Sequence, residues 1–209
     1  MENSVAAIIR SQLKRGLAVV EAVAADDAIL ATLGAAAQLT AEAMKNGRKF
    51  MAAGNGGSAA DAQHMVAEFV SRLCKDRPAL RAVALTTDTS ILTAIGNDYG
   101  YEHCFERQIE ALGQAGDVFL AISTSGNSPN ILLALEKARA MGIVTVGFTG
   151  KGGGKMAAHC DHLICIPSPV TMYVQQAHLA LEHLYCLLVE HVYFGEEFSA
   201  ASIATTERV

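Results

Sequence analysis

The chain lacks a basic cluster. Its 16 Lys and Arg stand against 21 Asp and Glu, for a formal net charge of -5 and a pI of about 5.8, so a nucleic-acid surface is disfavoured. No window approaches the ~20 uncharged apolar residues of a membrane span. The opening Met1-Glu2-Asn3-Ser4 carries an early acid and runs into an amphipathic helix, unlike a signal peptide. The five cysteines, Cys74, Cys104, Cys160, Cys165 and Cys186, are odd in number and include no C-x-x-C pair, which argues against a disulfide framework and fits reduced thiols in the cytosol. No linker, internal repeat or low-complexity stretch appears. With 51% hydrophobic and 18% charged residues over 209 positions, a full core is available and disorder is excluded. The expectation is a soluble, cytoplasmic, single-domain protein without nucleic-acid or membrane partners.

Two stretches share one design. Lys49-Phe50-Met51-Ala52-Ala53 is a short apolar run that breaks into Gly54-Asn55-Gly56-Gly57-Ser58 and then an Ala-rich helical pattern. Val118-Phe119-Leu120-Ala121-Ile122 breaks into Ser123-Thr124-Ser125-Gly126-Asn127-Ser128 and then a second helix. Each reads as strand, small polar loop, helix N-terminus, where backbone N–H groups and the helix dipole favour an anion.

Helices are expected over 3–24, 27–46, 58–73, 89–95, 101–112, 128–141 and 171–193, and strands over 49–53, 82–85, 117–122, 143–148 and 162–166. Continuous apolar strands alternating with helices imply an α/β fold with a parallel, doubly wound sheet covered on both faces. Ligands in such sheets bind beyond the strand C-termini, where both polar loops would lie. Val5, Ile8, Ile9, Leu13, Leu17 and Val20 form an apolar stripe on the first helix. Residues 1–47 are expected to form an N-terminal helical pair, 48–195 the sheet core with its long C-terminal helix, and 196–209 a frayed tail.

The first loop has three readings: a tight turn that needs glycine, a loose dinucleotide pattern G-x-G-x-x-A with Asp88 as a distant ribose ligand, or a sugar-phosphate site. No Lys follows the glycines as in a P-loop, so triphosphate hydrolysis is not expected. The second loop concentrates hydroxyls that can satisfy phosphate oxygens; Ser128 also reads as an N-cap ahead of Pro129. His64 and Glu68 are four apart and share a helix face, either as a surface pair or as metal ligands or an acid–base pair. Gln175 and His183, eight apart on the C-terminal helix, lie ~80° apart around its axis and can face one cleft; an ordinary packing helix, with Leu179, Leu184, Leu187 and Leu188 inward and polar residues on its wet side, is the alternative. His159, Cys160, Asp161, His162 and Cys165 are rival metal donors, but their spacing fits no usual zinc module. Asn97-Asp98-Tyr99-Gly100 reads as a turn whose Asn97 and Asp98 can also hydrogen-bond sugar hydroxyls.

Ala53-Gly54-Asn55-Gly56-Gly57-Ser58-Ala59-Ala60-Asp61-Ala62-Gln63-His64, Ala94-Ile95-Gly96-Asn97-Asp98-Tyr99-Gly100 and the serine-rich run 123–128 together resemble the phosphoheptose isomerases of the sugar isomerase (SIS) superfamily. The resemblance extends from the N-terminal helices to about residue 195. It implies a five-stranded parallel sheet in a homotetramer with active sites between subunits. The implied reaction converts D-sedoheptulose 7-phosphate to D-glycero-D-manno-heptose 7-phosphate, toward lipopolysaccharide-core or other surface heptose. It also implies one zinc per subunit on His64, Glu68, Gln175 and His183. Substrate contacts carry over onto Asn55, Gly56, Gly57, Ser58, Glu68, Asn97, Asp98, Ser123, Thr124, Ser125, Ser128 and Gln175. The chain departs from the family in having Gln175-Gln176 where Gln-Glu is frequent, and in the segment Val170-Thr171-Met172-Tyr173-Val174. For the proton transfer through an enediol, Glu68 is expected to act as carbon base and His183 as acid on oxygen. Two alternatives are a related heptose or octose phosphate as substrate, and a non-catalytic SIS adaptor of the replication-initiator-associating type. A sugar-phosphate sensor would carry a basic DNA-binding domain, which is not seen.

Overall fold

The computed structural model describes residues 4–195; the first residue of the first expected helix and the expected tail, 196–209, lie outside the described residues. Two helices open the chain, α1 (Val5–Ala24) and α2 (Asp27–Lys45). Ser4 caps α1 through Ala7 N, and Asp26 caps α2 through Ala28 N and Ile29 N; the break at Asp26-Asp27 therefore has a local cause. Then follow β1 (Phe50–Gly54), α3 (Gly57–Val70), β2 (Ala82–Ala84), α4 (Thr89–Asp98), α5 (Glu106–Leu112), β3 (Val118–Ser123), α6 (Pro129–Ala140), β4 (Val144–Thr149), β5 (His162–Cys165) and α7 (Thr171–Phe194).

The five strands form one parallel sheet in the order β2-β1-β3-β4-β5. β1 and β3 are buried at every position, as apolar runs covered on both faces should be. Alternate residues feed two core layers: Phe50, Ala52, Leu120, Ile122, Val146 and Phe148 face α2, α3 and α7, whereas Met51, Ala53, Phe119 and Ala121 face α5 and α6. The strand order reverses between β1 and β3, the crevice position where such sheets take ligands. The two polar loops leave those two strands.

Several local expectations need correction. The helix expected to reach 73 ends at Val70, because the loop after it folds back and Arg77 occupies its terminal carbonyls. The helix expected over 101–112 is a 3-10 turn, Tyr101–His103, followed by α5; the buried Cys104 and Phe105 separate the two. α4 continues to Asp98, so Asn97 and Asp98 are its last turn rather than a loop, and Asp88 is its N-cap, accepting from Ile91 N at 2.9 Å. A 3-10 segment, Gly154–His159, was not expected.

The apolar stripe of α1 faces outward: Val5, Ile8, Ile9, Leu13 and Leu17 are 52–73% exposed. α1 meets its own chain through Gly16, Val23 and the Tyr173–Gln12 hydrogen bond to α7. On α7 the expected faces are exchanged in part. Leu179 and Leu184 are exposed, while His178, Glu182 and Glu190 are buried; Leu187 is buried as expected. His178 lies inward against β4, and Glu190 against Leu73 and Arg77 in the loop after α3. Among the described residues no helix is long and apolar enough to cross a membrane.

His178 is fully buried, with Nε2 3.2 Å from the Thr149 carbonyl, and burial lowers its pKa from 6.5 to about 4. The unfolded chain takes up this proton near pH 6.5 and the folded chain only near pH 4, so this contribution to stability is full above 6.5 and lost as pH falls toward 4. His178→Gln, which keeps a donor for Thr149, is expected to flatten that loss. Urea midpoints measured from neutral to acid pH test it; an unchanged pH slope contradicts it.

Candidate functional site

The site begins where β1 gives way to α3. Gly56 is the α3 N-cap, and Gly56 and Gly57 expose their backbone. Ser58, in the first turn, is 7% exposed. Gly57 allows a close approach of the Gln175 side chain: a Cβ there would lie 2.2 Å from Gln175 Nε2 and push that amide aside. Asn55 is held by a reciprocal amide pair with the buried Asn130, 2.9 Å in each direction, and Tyr101 Oη donates to Asn55 Oδ1 at 3.1 Å. Asn55, Tyr101, Glu102 and Ser128–Asn130 line a cavity of about 500 Å3.

The serine-rich loop lies alongside. Ser123 Oγ is 3.0 Å from Ser128 Oγ and 3.5 Å from Ser125 Oγ, so three hydroxyls converge; Thr124 is half-buried beside them. Ser128 is the N-cap position of α6 with Pro129 following, as expected, but its hydroxyl makes no capping bond. It turns to Ser123 instead, which leaves it available to a ligand. Gly126 has φ +65°, and a Cβ on it would meet Gly153 O at 2.1 Å. The loop is thus braced by the glycine turn 152–154, further fixed by Met156 N to Gly126 O (3.0 Å) and Lys155 N to Asn127 Oδ1 (3.1 Å).

α3 and α7 run side by side in the same direction. Gln175 Nε2 donates to Asp61 Oδ2 at 3.0 Å at the head of this seam. One turn farther along α3, His64 Nε2 lies 2.9 Å from His183 Nε2 and 3.5 Å from Glu68 Oε1. Donor atoms of His64, Glu68 and His183 all lie within 4.8 Å of one another. These three donors meet within one chain. Two imidazole nitrogens and a carboxylate oxygen aimed at one point match the N/O donor set of a divalent metal such as zinc. The fourth expected ligand, Gln175, stands at Asp61 rather than in this cluster; its backbone is eight residues, about 12 Å of helix rise, from that of His183. Asn97 and Asp98 are exposed and bonded to each other at 2.7 Å, three residues ahead of Tyr101.

The rival donors do not converge. His159 lies 3.6 Å from Glu136, Asp161 accepts from Thr145 N and Oγ1, and burial, with Asp161 nearby, pushes the Cys160 thiol up to about 12. Among the described residues the only metal-competent group is His64, Glu68 and His183. Four features were not anticipated from sequence: Asp61 as the partner of Gln175, Asn130 behind Asn55, the brace at 152–154, and Glu182. Glu182 is buried with both carboxylate oxygens unpartnered, and desolvation, with Asp61 adding, raises its pKa from 4.5 to about 8. The run Gly152-Gly153-Gly154 is the one of these with a visible sequence signal.

A polar cradle at the switch point of a parallel sheet, beside a His/Glu cluster, defines a sugar-phosphate class of α/β protein, and residues 14–150 match the SIS domain. The phosphoheptose isomerase of Aneurinibacillus thermoaerophilus is 53% identical over 190 residues, 91% of this chain and 96% of that one. Phosphoheptose isomerase structures from Neisseria gonorrhoeae and Francisella tularensis superpose with TM-scores of 0.84 and 0.86 at 39% and 31% identity, each covering 90% of this chain and 99% of the other. The chain belongs to the phosphoheptose isomerase family of SIS-domain proteins.

His64→Ala and His183→Ala are each expected to weaken cobalt(II) or zinc binding by more than the roughly 10–100-fold typical of losing a ligand's supporting partner. Cys160→Ser and Cys165→Ser should leave it unchanged. Equilibrium dialysis with metal analysis measures both, and the reverse pattern would move the site to 159–165.

Proposed function

We propose that the chain is a cytoplasmic, zinc-dependent phosphoheptose isomerase, a single SIS domain that converts D-sedoheptulose 7-phosphate to D-glycero-D-manno-heptose 7-phosphate for lipopolysaccharide-core or other surface heptose. The observation that carries this reading is the meeting of His64, Glu68 and His183 along the seam that begins at the phosphate-type loops. The adaptor alternative is not favoured: the family's relatives are isomerases, and the acid and histidines are present.

The phosphate sits in the cradle of Ser123, Thr124, Ser125 and Ser128, with the Asn55–Gly57 backbone beside it. Seven residues of α3 separate Gly57 from His64, about 10 Å of rise, a reach suited to an extended seven-carbon sugar whose phosphorylated end is at the loops and whose C1 and C2 lie at the cluster. Anchoring the remote phosphate positions the reacting carbons. Asn97, Asp98, Ser58 and Gln175 contact the sugar hydroxyls.

His64, Glu68 and His183 would hold zinc, with Gln175 as the expected fourth donor, and the bound metal would supply Lewis acidity to the sugar's carbonyl. Glu68 removes the proton from the carbon next to the carbonyl and returns it to the neighbouring carbon, while His183 donates to and accepts from the oxygens, passing through an enediol. The outward stripe of α1, Val5, Ile8, Ile9, Leu13 and Leu17, is covered by further copies of the chain in a homotetramer; sedimentation equilibrium reads the mass.

Incubation with sedoheptulose 7-phosphate should yield the aldose phosphate. Glu68→Gln should cut turnover by about 10²–10⁴-fold; near-normal turnover with zinc retained removes Glu68 from the base role. Gly57→Ala should displace Gln175 and lower turnover by about 100-fold with the thermal midpoint preserved. Full activity in that variant would show that the placement of Gln175 does not matter.

A further inference from the structure

A buried ion pair closes the far end of the α3–α7 seam. The side chains of Arg77 and Glu190 are each 1% exposed, and Glu190 Oε1 accepts from Arg77 Nη2 at 2.6 Å and Nε at 2.8 Å. The same guanidinium donates to the last carbonyls of α3 and the loop beyond: Nη2 to Glu68 O (2.6 Å), and Nη1 to Phe69 O (2.7 Å), Ser71 O (3.2 Å) and Pro78 O (3.1 Å). Glu190 Oε1 also accepts from Leu73 N at 3.2 Å.

Two details separate this pair from ordinary helix capping. One of the carbonyls it holds belongs to Glu68, a member of the metal-competent cluster. Its partner, Glu190, lies seven residues, two turns, beyond His183 on α7. The cluster therefore stands between the Gln175–Asp61 contact at the head of the seam and the buried Arg77–Glu190 pair at its foot. Burying both charges carries a desolvation cost that their attraction roughly cancels, so a pair of this kind contributes little net stability over apolar residues of like size. Its distinctive effect is geometric: a planar fork with five donors sets the separation and axial register of two helices.

We infer that Arg77 and Glu190 are positioning residues that hold α3 against α7 in the register at which His64 and Glu68 meet His183, and so set metal affinity. The inference rests on the metal-site reading above. It is tested with the full-length protein by zinc affinity against a chromophoric chelator, the cobalt(II) absorption spectrum and the thermal midpoint. The variants are Arg77→Met/Glu190→Leu, Arg77→Lys, and Tyr185→Phe as a control. Tyr185 Oη bonds Thr40 Oγ1 at 2.6 Å on the α2 side of α7, so its loss tests destabilisation alone.

The double variant also removes the partners of four carbonyls and of Leu73 N, so it is expected to melt earlier than wild type, bind zinc about 10–100-fold more weakly and show an altered cobalt spectrum. Tyr185→Phe is expected to melt earlier with affinity and spectrum unchanged. Zinc affinity within twofold of wild type in the double variant overturns the inference. So does an equal loss of affinity in Tyr185→Phe. If the double variant does not fold, Arg77→Lys decides: a loss of ~10-fold or more without a larger melting shift than the control supports the inference, and retained affinity overturns it. Failure of the wild type to bind either metal would instead overturn the metal-site reading, and this inference with it.

Discussion

The parallel packing of α3 on α7 is the constraint from which the rest of the site follows. Both helices descend from strand C-termini, so both begin at the ligand-binding edge of the sheet and run away from it together. Contacts then pair in sequence order along the seam: Gly57 and Asp61 with Gln175, His64 and Glu68 with His183, Leu73 and Arg77 with Glu190. Residues some 119 positions apart meet because the chain makes three right-handed crossovers between them. No local interaction could bring them together.

The seam is polar where a helix–helix contact is usually apolar. Asp61, His64, Glu68, Glu182, His183 and Glu190 all lie on or near it. Such a seam is tolerable only where its polar groups are paired or where a ligand completes them. Arg77 pairs with Glu190 Oε1 at one end, leaving Oε2 without a partner, and the Gln175 amide pairs with Asp61 at the other. The unpartnered carboxylate of Glu182, next to His183, lies in the middle, where the metal-competent cluster is. The apolar surface that α7 would otherwise bury, at Leu179 and Leu184, is turned outward with the α1 stripe.

Much of this was legible in the chain. Strands announced themselves as mostly apolar runs, and every one of the five was placed within a residue or two, because a parallel sheet buried on both faces favours near-continuous apolar sequence. Asp26 and Pro129 mark helix starts by local chemistry alone, whereas Asp88, read as a possible ribose ligand, is a helix cap. His64 and Glu68 were legible by their spacing on one helix. What sequence could not supply was orientation in space. The leucines of α7 looked like its packing face because hydrophobicity usually is; the inward polar face makes sense only once α3 and β4 are known to lie against it. Ser128 looked like a cap, and is one by position, but its hydroxyl serves the loop instead. Arg77 and Glu190 carried no pattern at all, since they are 113 residues apart and neither belongs to a motif.

The most direct measurement of the central claim is an anomalous-scattering map at the zinc edge from crystals grown with zinc. One peak per chain is expected, about 2.0–2.2 Å from His64, Glu68 and His183, with all three belonging to the same chain. A peak at Cys160 and Cys165, or one whose imidazoles come from two different chains, would contradict it.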